Sequence, residues 1–382
     1  MKSNSHLDPG LLRRRALSFV SACVLASPAA LLAQQYQQTN LVSDLGTLGA
    51  HTVDPKLKNP WGIARGPSGN PWWVSDEKSG VSTLYNAQGT PANPLNPGGN
   101  GLVVTIPPSV PPPAIGTPTG VVFNGSAKDF RVAPPGVAQT FFLFVSLDGS
   151  ISGWDPAANP ITAITKVSTK SVLTGATIAQ IEENRFLYVA DLQAGKIRVY
   201  DTNFKPVELD EDAFDDDHLP PGFAPFNIQN IGGDLYVAYA KQNQAKTFVT
   251  SGTGLGFVDV FSPRGRLLMR LEHGDWFNAP WALTLAPSDF GTFSHRILVG
   301  QFGSGEILAF DAVTGQFQGK LRDQKNNSLA LKGLWGLAFG AGDQTSGPAN
   351  TLFFNQGLNG GNDGLFGTLT PIAADIEPGN GQ

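Results

Sequence analysis

Short runs of apolar and aromatic residues, each the length of a β-strand, recur along most of the chain, and turn-forming residues separate them. Examples are Trp-Trp-Val-Ser at 72–75, Leu-Tyr-Val-Ala at 187–190 and Ile-Leu-Val-Gly at 297–300. β-Branched and aromatic residues dominate these runs, and that composition favours strands. No helix of ordinary length is visible in the pattern. The pattern therefore predicts an all-β protein.

A second motif precedes these runs and is first seen as Asn-Pro-Trp-Gly-Ile-Ala at 59–64. It occurs six times, and the anchor residues of successive copies are 52 to 58 positions apart. The anchors are Trp61, Thr119, Thr174, Phe226, Trp281 and Trp335. A repeat of about 50 residues that contains up to four strand-like runs is typical of a β-propeller blade. We therefore predict a six-bladed β-propeller that forms a single domain over residues 34–371.

The two ends of the repeat array indicate how the ring closes. The last repeat ends near Leu369 after three runs, and an additional run at 40–45 precedes the first repeat. We predict that residues 40–45 supply the outer strand of the last blade, because this pairing removes a free edge. A small residue follows each anchor, as expected where six inner strands converge on one axis. These residues are Gly62, Gly120, Gly175, Asn227, Ala282 and Gly336.

The amino terminus has the pattern of a signal peptide. Three arginines at 13–15 precede an apolar run from 16 to 33 that ends in small residues. We predict cleavage before Gln34, a signal peptide over 1–33, a carboxy-terminal tail over 372–382, and a secreted or periplasmic protein. An uncleaved membrane anchor and a lipoprotein acylated at Cys23 are the alternatives. No later run approaches the ~20 apolar residues of a transmembrane helix.

Composition narrows the class of protein further. The formal net charge of −5 becomes about −8 once the basic leader is removed, which argues against nucleic-acid binding. Cys23 is the single cysteine, so the mature chain contains no disulfide and no thiolate ligand for zinc. At 41% hydrophobic residues the chain can stabilise a core without either.

Four segments resemble a family of exported bacterial propeller proteins of unknown function. They are Asn40-Leu-Val-Ser-Asp-Leu, Asn59-Pro-Trp-Gly-Ile-Ala, Ser82-Thr-Leu-Tyr-Asn and Gly222-Phe-Ala-Pro-Phe-Asn-Ile-Gln. The resemblance covers most of residues 36–371, and the blades also resemble NHL repeats in Leu187-Tyr-Val-Ala-Asp and Ile197-Arg-Val-Tyr-Asp. It implies a six-bladed propeller and export, and it supplies no activity.

The mouth of the central channel is the predicted ligand site, because two sets of propeller loops share that face. The anchors and the ends of the second strands surround it. Aromatic anchors there can stack on a sugar or another flat ligand, or they can pack between blades as core. The predicted binding residues are Trp61, Asp76, Thr119, Asp191, Phe226, Tyr239, Trp281, Gln301, Trp335 and Asn355.

Metal binding is a further possibility, although no cofactor is predicted outright. Asp76, Asp191 and Asn355 carry the hard oxygen atoms that Ca²⁺ prefers. Three histidines also fall in predicted mouth loops, namely His51, His218 and His273. The acidic run at 210–217 is either a solvated loop or a weak Ca²⁺ site, and it lacks the glycine and terminal glutamate of an EF-hand.

The chain contains no His-Glu-x-x-His, Gly-x-Ser-x-Gly or Walker A motif, and no catalytic residue is predicted. We therefore expect an exported binding or interaction module whose partner is a small molecule, a glycan or a protein. The alternative is a divalent-metal-dependent hydrolase or lactonase with its site at the channel mouth. A lyase of the streptogramin-inactivating type, which shares the propeller architecture, is a third hypothesis.

Overall fold

The computed structural model describes residues 35–110, 114–134 and 139–372. The predicted signal peptide lies outside these residues, as does the predicted tail except for residue 372. The first described strands are β1 (Tyr36–Ser43) and β2 (Thr52–Val53), with a short 3₁₀ turn (Gly46–Leu48) between them. No helical segment of the described residues has the length and apolar character that a membrane span requires.

Six sheets then follow in chain order, one for each predicted repeat. Blade 1 contains β3 (Pro60–Arg65), β4 (Trp72–Asp76), β5 (Val81–Tyr85) and β6 (Val103–Thr105). Blade 2 contains β7 (Pro118–Phe123), β8 (Phe142–Ser146), β9 (Ser150–Trp154) and β10 (Ile164–Ser168). Blade 3 contains β11 (Leu173–Ile181), β12 (Asn184–Asp191) and β13 (Lys196–Tyr200).

The remaining blades complete the ring. Blade 4 contains β14 (Phe223–Ile231), β15 (Asp234–Gln242), the short β16 (Val249–Thr250), β17 (Phe257–Phe261) and β18 (Leu267–Arg270). Blade 5 contains β19 (Pro280–Leu285), a 3₁₀ turn (Gly291–Phe293), β20 (Arg296–Gln301), β21 (Ile307–Asp311) and β22 (Phe317–Lys320). Blade 6 contains β23 (Leu334–Phe339), β24 (Leu352–Leu358) and β25 (Asp363–Pro371). The six-bladed architecture is as predicted.

The ring closes through β1, which forms the outer strand of blade 6. It runs antiparallel to β25, from Tyr36 opposite Pro371 to Ser43 opposite Leu365. The prediction of an amino-terminal closing strand is therefore confirmed, although the strand begins four residues earlier than the predicted 40–45. The Tyr36 hydroxyl also donates a hydrogen bond to the Phe290 carbonyl in blade 5 (3.0 Å), which secures the start of this strand.

A β-bulge interrupts every inner strand at its anchor. In blade 1 the pairing shifts between Pro60 and Ile63, and the other five inner strands shift at the corresponding place. Bulges turn a side chain away from the regular alternation of a strand. The small residues beside the anchors are needed for close approach, since a Cβ on Gly62 would lie 2.5 Å from the Thr119 carbonyl oxygen.

The hydrophobic core lies between neighbouring blades rather than in one central layer. Trp73 of blade 1 stacks on Phe142 of blade 2 (ring centroids 4.2 Å apart), while Trp72 packs against Phe353 of blade 6 (4.6 Å). These side chains are at most 2% exposed. Each blade is therefore held by both neighbours, and closure of the ring stabilises all six.

Candidate functional site

The predicted mouth residues are buried in the structure. The four aromatic anchors meet at the top of the channel and are at most 4% exposed, and the two threonine anchors are fully buried. The Thr119 hydroxyl donates to the carbonyls of Val145 (3.0 Å) and Leu173 (2.9 Å), and so joins blade 2 to blade 3. The anchors therefore connect the blades, and they do not form an open rim.

The aromatic anchors form a closed cluster with one another. Trp61 stacks on Trp335 with ring centroids 3.5 Å apart, and Trp281 meets both indoles edge-on at 6.1 and 5.8 Å. Phe226 approaches Trp335 edge-on at 5.9 Å. The edge-to-face contacts at these separations are favourable geometries for aromatic rings. We call this set, together with Phe248 and Phe302, the aromatic plug.

Two members of the plug lie outside the repeat motifs, and the sequence analysis missed them. Phe302 follows the end of β20 and stacks on Trp335 at 4.3 Å, while Phe248 lies in the β15–β16 turn, 6.1 Å from Trp61. Both rings are half-buried and cover the anchors from above. Phe302 directly follows Gln301 in the chain, which is the one sequence signal that pointed to this position.

Hydrogen bonds hold two of the three indoles of the plug. Trp281 donates to a backbone carbonyl of blade 3 (3.0 Å), and Trp335 donates to the Asn59 side-chain oxygen (3.1 Å). The Asn59 amide in turn donates to Glu77 (2.8 Å). The Trp61 N–H is buried and has no hydrogen-bond partner among the described residues. A buried indole N–H normally has a hydrogen-bond partner, so the unpartnered Trp61 N–H lowers the stability of the plug.

Below the plug, the channel axis is almost filled by the inner strands. The remaining cavity has a volume of about 30 Å³, which is space for about one or two water molecules. A sugar or another organic ligand does not fit there. The cavity is lined by small or apolar residues, including Gly62, Gly120, Ala282 and Gly336, and by the polar residues Asn227 and Gln229.

Asp76 lies at the end of the second strand of blade 1 and is fully buried. One of its carboxylate oxygens accepts hydrogen bonds from the Thr83 backbone (3.1 Å) and hydroxyl (2.7 Å). The other oxygen has no partner in the described part of the chain. Burial raises the pKa of Asp76 well above its ordinary value, and the hydrogen bonds from Thr83 oppose this only in part.

The other predicted polar residues are engaged within or between blades. Asp191 accepts hydrogen bonds from Ser171 and Arg198, both at 2.5 Å. The Gln301 amide donates to the Trp276 carbonyl (2.7 Å). The Asn355 amide donates to the Gly62 carbonyl (3.1 Å), across the interface between blades 6 and 1. Tyr239 is buried beside Asp259, and burial raises the pKa of its hydroxyl well above the ordinary value.

Within residues 35–110, 114–134 and 139–372, no three His, Cys, Asp or Glu side chains are grouped as a metal ion would require. The histidines lie apart from one another. His51 approaches the Gln88 carbonyl (3.4 Å), in the turn at the far end of β5 from the mouth, so its predicted place at the mouth is wrong. His273 stacks on Phe257 (4.3 Å), and His218 is exposed beside Asp216.

The acidic run is attached to the outer side of the ring between blades 3 and 4. The Phe214 ring packs between Tyr188 of blade 3 (5.9 Å) and Phe261 of blade 4 (5.3 Å). Asp216 is buried and forms an ion pair with Arg270. The run is therefore fixed at two points, while its other carboxylates are exposed.

Arg270 is shared by two buried carboxylates, Asp216 and Asp259. Its Nε lies 2.7 Å from Asp259, which is fully buried inside an apolar strand. Burial raises the pKa of Asp259 to about 6, against the lowering effect of Arg270. Sequence reasoning missed this network, although an aspartate inside the run Phe-Val-Asp-Val-Phe at 257–261 was a visible signal.

Comparisons with known proteins identify relatives whose function is unknown. No family model matches the chain. An uncharacterised protein of Acanthamoeba polyphaga mimivirus is 29% identical over 339 residues, covering 86% of this chain and 78% of the viral protein. A second is 28% identical over 340 residues, covering 86% and 84%. A third is 33% identical over 229 residues, covering 58% of this chain and 42% of its own length.

A solved structure of a structural-genomics protein of unknown function from Bacteroides thetaiotaomicron matches with a TM-score of 0.51 and 12% identity. The match covers 89% of this chain and 76% of that one, and at this identity it supports the fold alone. Because the sequence relatives are viral, the resemblance to a bacterial family and to NHL repeats stays a prediction. The chain is thus a six-bladed β-propeller with uncharacterised relatives, and no activity follows from them.

Proposed function

We propose that the protein is an exported interaction module that binds a protein partner on the outer surface of its propeller and performs no catalysis. The observation that carries this proposal is the aromatic plug. Its anchors are at most 4% exposed, and the cavity beneath them has a volume of about 30 Å³. A module of this kind uses the channel as a rigid frame and its loops and strand edges as the contact surface.

The larger clefts favour the same proposal, because they lie around the ring rather than on its axis. One cleft of about 860 Å³ is bounded by the acidic run and the β17–β18 turn. Another of about 460 Å³ lies beside β13, between blades 3 and 4, and Tyr239 is part of its lining. In this proposal the ten predicted mouth residues position the loops. Their role as a ligand site stays a prediction, as does Ca²⁺ binding.

The first test separates this proposal from the metal-dependent hydrolase. The purified protein, prepared without chelator, is analysed for divalent metal and melted with and without EDTA. It is also incubated with lactone and ester substrates. We expect no stoichiometric metal, no EDTA-dependent change in Tm and no turnover. A bound metal together with EDTA-sensitive hydrolysis would overturn the proposal in favour of the hydrolase.

The second test searches directly for a protein partner. The protein is immobilised and exposed to the culture fluid and extracts of its source, and each captured protein is purified and titrated against it by calorimetry. Saturable binding that persists in EDTA supports an interaction module. Substitution of Phe302 by alanine serves as the mouth control, and we expect it to lower Tm while leaving the measured Kd unchanged. A higher Kd for the Phe302→Ala variant than for the unmodified protein would instead indicate that the partner binds at the mouth.

A further inference from the structure

Within the described parts of the chain, blade 3 has no outer strand of the kind that the other five blades have. Its sheet has the order β11-β12-β13, whereas each of the other sheets continues to a fourth strand. The chain after β13 starts such a strand and then leaves it. Val207 donates one hydrogen bond to the Val199 carbonyl (2.9 Å), and Pro206 forms an isolated bridge with Tyr200. The outer edge of β13 is therefore paired at one end only.

Ile197 is the unpaired part of this edge. In an antiparallel ladder, alternate residues direct both backbone groups to the same side. Val199 and Asp201 bond outward, to Val207 and Lys205, so Ile197 also directs its N–H and C=O outward. Within the described residues, no backbone or side-chain hydrogen bond is made to either group on that side. The chain has departed at this point to place Phe214 between blades 3 and 4.

The free edge opens into the cleft of about 460 Å³, which also borders Phe223, Pro225 and Tyr239 of blade 4. Apolar side chains form its inner wall. Ile197 and Val199 are buried, and the half-buried members are Val207, Leu209, Phe214, Leu219 and Phe223. A strand that pairs with β13 would direct every second side chain onto this wall.

The opposite wall of the cleft is acidic. Glu208, Asp210, Glu211 and Asp215 line it, are exposed, and form no ion pair with any described residue. Lys196 is the single basic residue in the described lining. Charge complementarity therefore selects a cationic occupant and disfavours an acidic one.

We propose that blade 3 receives a short extended segment of a partner protein as its fourth strand, and that this segment alternates apolar residues with lysine or arginine. Its backbone pairs with Ile197, its apolar side chains contact the inner wall, and its cations face Glu208 and Glu211. This mode of recognition is strand addition at a sheet edge that lacks a backbone partner. The inference rests on the proposed function and names the site and the chemical class of its partner.

The probe is a fluorescent eight-residue peptide of alternating valine and lysine, titrated into the purified protein by anisotropy. Three comparison peptides accompany it: one with glutamate for lysine, one with N-methylated backbone amides, and one with scrambled order. We expect saturable binding of the first peptide alone, weakened by added salt. Equal binding of the N-methylated peptide would show attraction by charge without strand pairing and would overturn the proposal.

The protein variants test the same surface. We expect the double substitution Glu208→Lys and Glu211→Lys to weaken peptide binding at least tenfold. The matched control is Glu183→Lys with Asp234→Lys, and it is expected to leave the Kd within twofold. Both acids are exposed and lie outside the cleft lining, Glu183 in the β11–β12 turn of blade 3 and Asp234 at the start of β15 in blade 4. Tm measurements on both pairs check that the fold is retained. An equal loss of peptide affinity in the two double variants would contradict a local binding site.

Hydrogen–deuterium exchange locates the peptide. We expect the Ile197 amide to become protected on binding, while the neighbouring Lys196 amide, which faces β12, is unchanged. If the Ile197 amide became protected from exchange in the absence of peptide as the protein concentration was raised, a second copy of the chain would be filling the edge. That result would overturn the proposal. A protein partner that binds the Glu208→Lys, Glu211→Lys variant normally would also overturn it, yet leave the interaction function intact. Failure to find any partner would count against that function itself.

Discussion

Trp61 and Trp335 stack with their ring centroids 3.5 Å apart and their planes 16° from parallel, although they belong to the first and last blades. Trp335 is also covered on its other side by Phe302 at 4.3 Å. The central contact of the aromatic plug thus joins the two ends of the repeat array. It serves the same purpose as the closing strand, because both hold blade 6 against its neighbours.

Replacing Trp335 by alanine removes the ring that contacts all five other members of the plug. We expect the free energy of unfolding to fall by about 3–5 kcal/mol, as for other large-to-small changes in a core. Chemical denaturation monitored by circular dichroism measures it. Val313→Ala, at a side chain that is 87% exposed, is the control and should change stability by less than about 0.5 kcal/mol. An equally small effect of Trp335→Ala would show that the ring is not part of the core.

Gly62 lies where the inner strands of blades 1 and 2 approach each other most closely. A Cβ there would sit 2.5 Å from the Thr119 carbonyl oxygen, so Gly62→Ala must push the strands apart. We expect a loss of about 1–3 kcal/mol in stability. Gly46→Ala, with no atom within 4 Å of the added Cβ, is the matched control. Unfolding curves that coincide for the two variants would contradict the close convergence of the strands.

Ring closure by β1 can be tested with a covalent bond. Gln37 lies opposite Thr370 in the β1–β25 pair. Opposed residues in such a pair have Cα atoms about 4.5–5.5 Å apart, which suits a disulfide. We expect Gln37→Cys with Thr370→Cys to raise stability by about 3–5 kcal/mol when oxidised, since the bridge closes nearly the whole chain into one loop. Melting under oxidising and reducing conditions measures the gain, and the two single variants are controls. No gain on oxidation would indicate that β1 frays independently of unfolding.

The buried Asp259 makes stability depend on pH. Burial raises its pKa in the folded state to about 6, so between about pH 4 and pH 6 the folded protein holds a proton that the unfolded chain releases. This contribution is fully present below about pH 4 and is lost as the pH rises through 6, at a cost of roughly 2–3 kcal/mol. Asp76, whose pKa burial also raises, acts in the same direction.

Urea denaturation at pH values from 4 to 7 measures this dependence. We expect Asp259→Asn to flatten the fall in stability over that range, whatever its effect on stability at a single pH. Asp210→Asn, at an exposed carboxylate, should leave the slope unchanged. If the Asp259→Asn variant keeps the full slope of stability against pH, the effect would be assigned to Asp76. The Asp76→Asn variant then tests that assignment.

The predicted cleavage before Gln34 leaves the closing strand whole, because β1 begins at Tyr36. We expect the amino-terminal sequence of the protein purified from its source to begin at Gln34, with an intact mass to match. A mass that retains the leader would identify an anchor, and a lipid on Cys23 would identify a lipoprotein. Processing beyond Tyr36 would remove paired residues of β1, so we expect such a product to be less stable.

The repeating units, their number and the closing strand could all be predicted from the amino-acid sequence alone. Strand formation depends on local composition, and the motif around Trp61 recurs in each inner strand, so the period is visible without any long-range contact. The incomplete last repeat and the additional run at 40–45 are also visible as local runs, so their pairing could be predicted in the same way. Even the absent outer strand of blade 3 has a local sign, since no fourth run follows the run that ends at Tyr200.

The surroundings of these residues, in contrast, depend on how the blades pack in three dimensions. Trp61 and Trp335 are equally compatible with an open aromatic rim and with a closed plug. The bulge at each anchor and the convergence of the strands on the axis bury them against each other. Phe248 and Phe302 joined them from irregular loops, whose paths the repeat pattern does not specify. The acidic run likewise became the wall of a cleft because Phe214 and Asp216 attach it between blades 3 and 4. Such contacts depend on how distant segments meet in space, which no local pattern encodes.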